Sequence, residues 1–142
     1  MSYTKKKNSK EQVKSLIYSI CEAGKNRDFA FLSRIHSDNE KYSKFNDNLP
    51  LRRLSSKEAS MHEEVALANI TDYSYDIESL KIDIFGDIAV TTFYLKYSGM
   101  FVNNYTFEGK PIETKSRVTM VFEKRDSGWL IVHEHRSRFT EE

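Results

Sequence analysis

The sequence predicts an α+β domain, with helices in the first half and long antiparallel strands in the second. Apolar residues recur at three- and four-residue spacing up to about Asp72 and alternate afterwards, which is a change from helical to strand period. The alternating half is divided by two turn signals, Gly86-Asp87 and Asp126-Ser127-Gly128. Helices grouped before a meander of strands pack on one face of a sheet.

Ser9-Lys10-Glu11-Gln12 has the form of a capping box, in which side chains at both ends satisfy the free N–H groups of a first turn. Val13, Leu16, Ile17, Ile20, Cys21 and Gly24 follow as one apolar stripe, so a helix is expected from about Lys10 to Ala23, ending near Gly24. Asp28 caps a shorter helix with Phe29, Phe31, Leu32 and Ile35 on its apolar side, and Asp38-Asn39 stops it. Between Glu40 and Leu54 the apolar anchors Tyr42, Phe45 and Leu49 are scattered. Pro50 argues against a central strand there, which leaves a short edge strand and a long loop. Ser55-Ser56-Lys57-Glu58 is a second capping box and opens a helix to about Asn69.

Tyr73, Tyr75, Ile77, Leu80, Ile82 and Ile84 then mark a first long strand with an irregularity near Glu78-Ser79. Ile88 to Phe101, rich in β-branched and aromatic residues, is the second, and Asn103-Asn104 and Glu108-Gly109 sit in the connection after it. Ile112 to Lys124 is the third, and Trp129 to about Phe139 the last.

The chain has 142 residues, enough for one domain with one core. Residues 9–142 are read as that domain and residues 1–8, with Lys5, Lys6 and Lys7, as a flexible basic arm. A formal net charge of +1 gives no field that would argue for nucleic acid or membrane partners. The single cysteine, Cys21, rules out an intramolecular disulfide and points to a reducing, cytoplasmic setting. No signal-peptide pattern or membrane span is read, so Asn69-Ile70-Thr71 and Asn104-Tyr105-Thr106 are taken as chance glycosylation patterns.

Three stretches carry a resemblance. Gly86-Asp87-Ile88-Ala89-Val90, Arg117-Val118-Thr119 and the last strand from Gly128-Trp129 through His133-Glu134-His135-Arg136-Ser137 resemble the SnoaL-like branch of the nuclear transport factor 2-like superfamily. The last strand also resembles the association (hub) domain of calcium/calmodulin-dependent protein kinase II. The resemblance implies a cystatin-like cone with a pocket between the concave face of the sheet and the helices. It implies functions ranging from ketosteroid isomerase-like enzymes and cyclases to oligomerising hubs. Arg136 matches the hub arginine of the last strand, and Lys96 falls where the hub carries another. Arg117 matches the SnoaL-like consensus arginine, and the third hub arginine falls near Met120, so the hub's cluster is incomplete here.

Strict alternation divides the last strand into a face with Trp129, Ile131, His133, His135 and Ser137 and a face with Leu130, Val132, Glu134, Arg136 and Arg138. Unless a bulge intervenes, the histidines and Arg136 face opposite ways. His133 and His135 have the spacing of a strand-borne metal pair but need a third ligand, and paired structural histidines are the expectation, with no metal and no cofactor. Glu134 beside Arg136 is either an ion pair or a pocket carboxylate able to move protons. His62 reads as a partly buried histidine, and Cys21 as core filler.

The reading that follows is a homodimer binding a small, anionic or polar-apolar organic ligand in the cone. Lys96, Arg117, Arg136, Tyr94 and Tyr18 are the candidate binding residues. The alternative is an isomerase, dehydratase or cyclase whose acid–base group is Glu134, His62, His133 or His135. A third reading is an assembly hub that buries the outer face of its sheet.

Overall fold

Asn8 starts the first helix. Its side chain accepts a hydrogen bond from the Glu11 backbone N–H at 2.9 Å, so α1 runs Ser9–Asn26 with its cap one residue ahead of Ser9. In this computed structural model residues 8–37, 40–103 and 105–140 are described. The expected arm therefore lies outside the described residues except for Asn8, as do Asp38-Asn39 and Asn104.

α1 continues past Gly24 and is stopped by Arg27, which takes up a left-handed conformation at φ 56° and donates its N–H to the Ala23 and Gly24 carbonyls. Helices usually give that position to glycine. Here the Arg27 guanidinium also donates to the Ile70 carbonyl at 2.6 Å, a long-range bond that helps hold the unusual backbone. α2 (Phe29–Ile35) follows, with Asp28 accepting from the Phe31 N–H. β1 is Ser43–Phe45. α3 (Ser56–Ala68) opens on a complete capping box between Ser55 and Glu58.

Four long strands follow: β2 (Ile70–Phe85), β3 (Ile88–Val102), β4 (Gly109–Arg125) and β5 (Gly128–Arg138). The sheet order is β1-β5-β4-β3-β2. The meander is antiparallel, but β1 joins its edge in parallel, with Ser43, Lys44 and Phe45 opposite His133, Glu134 and His135. β2 begins at Ile70, earlier than Tyr73, because α3 runs into it through Asn69 alone, and Asp72, at φ 54°, lies within the strand at a register shift. The irregularity near Glu78 is a register shift before Lys81, with Ser79 at φ 55°. β4 likewise starts earlier than Ile112 and takes in Pro111, close to its first residue where a missing N–H is tolerated.

The helices cover the concave face of this sheet. Val13, Ile17 and Ile20 of α1 and Leu32 and Ile35 of α2 meet Phe93 and Leu95 of β3, Val118, Met120 and Phe122 of β4, and Trp129 and Ile131 of β5. These are the alternate positions of each strand, so the two periods in the sequence meet as one core. Trp129 places its ring in the core and donates its Nε1–H to Gln12 at 3.1 Å. Among the described residues no helix is long and apolar enough to cross a membrane.

A second register shift matters more. Phe122 pairs with Ile131, yet Val121 pairs with His133, so Val132 is an extra residue in β5. The bulge moves every later residue to the opposite face. Trp129 and Ile131 point inward before it, and Glu134, Arg136 and Arg138 point inward after it.

Gly99 sits where β3 passes closest to the start of β2. A Cβ there would stand 2.6 Å from Ile70 Cγ2 and 2.9 Å from the Thr71 carbonyl oxygen. Gly99→Ala is expected to lower the unfolding free energy by about 1–3 kcal/mol, measured as a shift in urea midpoint at constant m-value.

Candidate functional site

The bulge at Val132 places two charges of β5 where core residues would otherwise stand. Glu134 is 2% exposed, and charged side chains at that depth need partners. Arg136 donates from Nε to Glu134 Oε1 at 2.6 Å. Lys44, brought alongside by the parallel pairing of β1 with β5, places its Nζ 3.6 Å from Glu134 Oε2. Burial alone would raise the Glu134 carboxyl pKa. Lys44 and Arg136 outweigh that, with a smaller contribution from His36, and hold it down at about 2. Glu134 is a fixed anion at neutral pH rather than a proton carrier. Burial lowers and Glu134 raises the pKa of the Arg136 guanidinium, and the net direction is up, so it stays charged.

Around this triad lies a second layer of polar groups. Asp47, just beyond β1, accepts from the Ser116 hydroxyl and adds to the field that keeps Arg136 charged. His36 shares a 2.5 Å contact between Nδ1 and the Leu32 carbonyl, and its Nε2 stands 4.0 Å from Glu63 of α3. The Tyr42 ring meets His36 edge-on at 5.1 Å, and its buried hydroxyl has no hydrogen-bond partner among the described residues. Burial first, and the nearby Glu134 and Glu63 carboxylates after it, push that hydroxyl's pKa far up.

Above the triad the helices stand off the sheet and leave a chamber of about 120 Å³. α1 gives it Ile20, Cys21 and Gly24, and α3 gives His62, Glu63, Ala66 and Leu67. The sheet gives Tyr73, Leu95 and Tyr97, and Arg136 and Arg138 close the side nearest β5. Asn46, Asp47 and Asn48 complete the wall next to Lys44. A dry engineered cavity of about 150 Å³ holds a benzene ring, so this chamber suits a group of that order. Tyr73 and Tyr97 stack at 5.8 Å and present an aromatic side to it. Burial pushes the Cys21 thiol up to about 11, which keeps it protonated and a poor nucleophile at neutral pH.

The residues proposed from the sequence part company here. Arg136 and His62 line the chamber. Glu134 lies beneath it, spent on two cations. Lys96, Tyr94 and Arg117 lie on the outer face, because they alternate with the inward Phe93, Leu95 and Val118. There Lys96 pairs with Glu78 at 3.3 Å, Tyr94 packs on Phe139, and Arg117 donates to Ser137. Tyr18 is exposed on α1. His133 and His135 also face outward, beside Phe45, and His133 shares a 2.9 Å hydrogen bond with the Ser43 hydroxyl. Among the described residues no three His, Cys, Asp or Glu side chains stand together as a metal site. Arg138, Lys44 and Asp47 were missed as binding candidates. Arg138 was legible, since it keeps the same alternation as Arg136. Lys44 needed the parallel pairing, which no local pattern announces. Of the four acid–base candidates, His62 is the one on the chamber wall outside the ion network.

A family model described as a SnoaL-like domain matches residues 13–141. No curated protein sequence matches the chain significantly. Among solved structures, a candidate dehydratase of the NTF2-like family from Streptomyces avermitilis superposes with TM-score 0.77 at 19% identity, covering 92% of this chain and 96% of that one. An NTF2-like superfamily protein from Salmonella enterica superposes at 0.79 with 17% identity, over 93% and 92%. The CaMKII hub of S. rosetta superposes at 0.74 with 18% identity, over 95% and 100%. At these identities the likeness is one of fold.

The triad sets an acid limit on the fold. The folded carboxyl of Glu134 sits below its unfolded value of about 4.3, so its contribution to stability is present above that pH and is lost as pH falls toward about 2. Unfolding free energy is expected to drop across this window in urea titrations. In Glu134→Gln the slope there flattens, and stability at neutral pH falls by about 3–5 kcal/mol because two buried cations lose their partner.

Proposed function

Because the chain belongs to the SnoaL-like domain family, we propose that it binds a small organic molecule in the chamber beneath α1 and α3, through a carboxylate or similar oxygen acceptor held by Arg136. One observation supports this more than any other. Glu134 takes the Nε–H of Arg136, and the terminal amino groups make no hydrogen bond to a described residue. The side chain is 20% exposed while lining the chamber. A guanidinium fixed on one side and open on the other is a preorganised fork for a planar oxygen pair.

Charge placement agrees with this. Glu134 is buried behind the chamber and paired with Lys44 and Arg136, Asp47 accepts from Ser116, and Glu63 stands 4.0 Å from His36, while Lys44, Arg136 and Arg138 supply three cations to the same lining. Arg138 shares the same wall and has no ion-pair or hydrogen-bond partner among the described residues. The aromatic and aliphatic walls formed by Tyr73, Tyr97, Leu95 and Leu67 favour an apolar body next to the acceptor.

Benzoate, with benzamide as the neutral comparator, is the probe for calorimetric titration. Benzoate is expected to bind and benzamide to bind more weakly. Arg136→Lys keeps the ion pair with Glu134 but loses the fork, and it should weaken benzoate by about tenfold or more. Equal affinity in wild type and Arg136→Lys ends the proposal.

A second reading concerns assembly as a homodimer. The outer face carries Tyr94 against Phe139 at 5.5 Å and Phe45 against His135 at 5.5 Å, rings that a second copy would cover. The likeness in fold to the S. rosetta CaMKII hub supports this reading. Sedimentation velocity should find a dimer in the wild type and a monomer in Tyr94→Glu. A wild-type monomer at micromolar concentration removes this reading and leaves ligand binding untouched.

A further inference from the structure

The chamber does not end where α3 ends. A wider basin of about 620 Å³ adjoins it, and Asn46, Asn48, His62, Ile70, Tyr97 and Arg138 line both. The two spaces differ in the rest of their lining. The inner one has Lys44 and Arg136 at its base. The outer one is flanked by Leu49 from the loop after β1, Val65 from α3 and Phe101 from the end of β3, which are 75%, 60% and 40% exposed.

A single exposed apolar side chain needs no explanation. Here three separate elements bring one each to the same mouth, and Pro111 and Ile112 of β4 extend the apolar wall. Asn69, Glu113 and Thr114 stand on the other side of the basin, so its mouth has one apolar wall facing a polar one, while the inner base is charged. The arrangement also fixes a direction. An apolar chain inserted first would press on Arg136 and Lys44 and strip their solvation without replacing it. A polar head inserted first meets the guanidinium fork and leaves its chain against Tyr97, Val65 and Phe101.

We propose that the ligand is an amphipathic monocarboxylate, with its carboxylate on Arg136 and its hydrocarbon chain running outward through the basin. This rests on the chamber reading above and adds the chain. Tyr97 and Phe101 stand on the same face of β3, and at strand rise their separation is about 14 Å. A short acid therefore stays within the chamber, and a longer one reaches the rim.

The test is calorimetric titration of the whole chain with acetate, hexanoate, octanoate and decanoate, with decylamine as comparator. Affinity is expected to rise by about fourfold per added methylene beyond hexanoate, with decylamine far weaker than decanoate. Val65→Asp and Phe101→Ser should each weaken decanoate by about tenfold or more and leave hexanoate unchanged, since neither residue lines the inner chamber. Arg136-dependent binding that ignores chain length overturns the inference and leaves the chamber reading standing. No binding of any acid by protein with a cooperative thermal transition overturns both. If Val65→Asp instead separates a wild-type oligomer in sedimentation, the rim is a contact between copies and the inference fails.

Discussion

A carboxylate that cannot reach water has to be neutralised where it stands, and much of this molecule follows from where Glu134 stands. It is the anion shared by Arg136 on its own strand and Lys44 on the neighbouring one. Lys44 comes from β1, a three-residue strand with little apolar surface of its own, so the ion pair is part of what fastens that strand to the sheet edge. Once β1 is fastened, Asn46, Asp47 and Asn48 are carried to the chamber wall. Removing the acid would leave two like charges in low dielectric. The polar base of the chamber and the closure of the sheet edge are thus one electrostatic arrangement.

The order and type of the helices and long strands were legible because each depends on local chemistry. Period-three and period-four spacing set α1 and α3, alternation set the strands, and Gly86 and Gly128, both at positive φ, made the turns that join them. The boundaries that moved did so for reasons outside that pattern. α1 ran past Gly24 because Arg27 took the left-handed position and found a carbonyl on β2 to hold it. The edge strand was expected, but its parallel pairing was not, since parallel neighbours far apart in sequence leave no periodic trace.

The site was legible in part, and the division has a single cause. Arg136 and His62 were among the candidates and line the chamber. Lys96 and Arg117, chosen by resemblance, and Tyr94, chosen as a hydroxyl donor, lie on the other side of the sheet, beside Leu95, Val118 and Phe93, which take the inward positions. Glu134 was weighed as either ion pair or proton carrier, and only the distances to Arg136 and Lys44 separate the two. Those distances depend on tertiary geometry that a strand's own sequence does not contain.

The bulge at Val132 gives β5 the property of a shifted reading frame. Read without it, the strand would bury Trp129, Ile131, His133 and His135 in one continuous row, and the chamber would be walled by imidazoles. Read with it, the row changes from rings and aliphatic groups to Glu134, Arg136 and Arg138 halfway along. The same eleven residues therefore encode two interiors, and whether Val132 is bulged or paired selects between them. In a fold whose relatives share shape at under one-fifth identity, a bulge gained or lost in this strand alters the chemistry of the cavity at a stroke, where substitutions would have to alter it residue by residue.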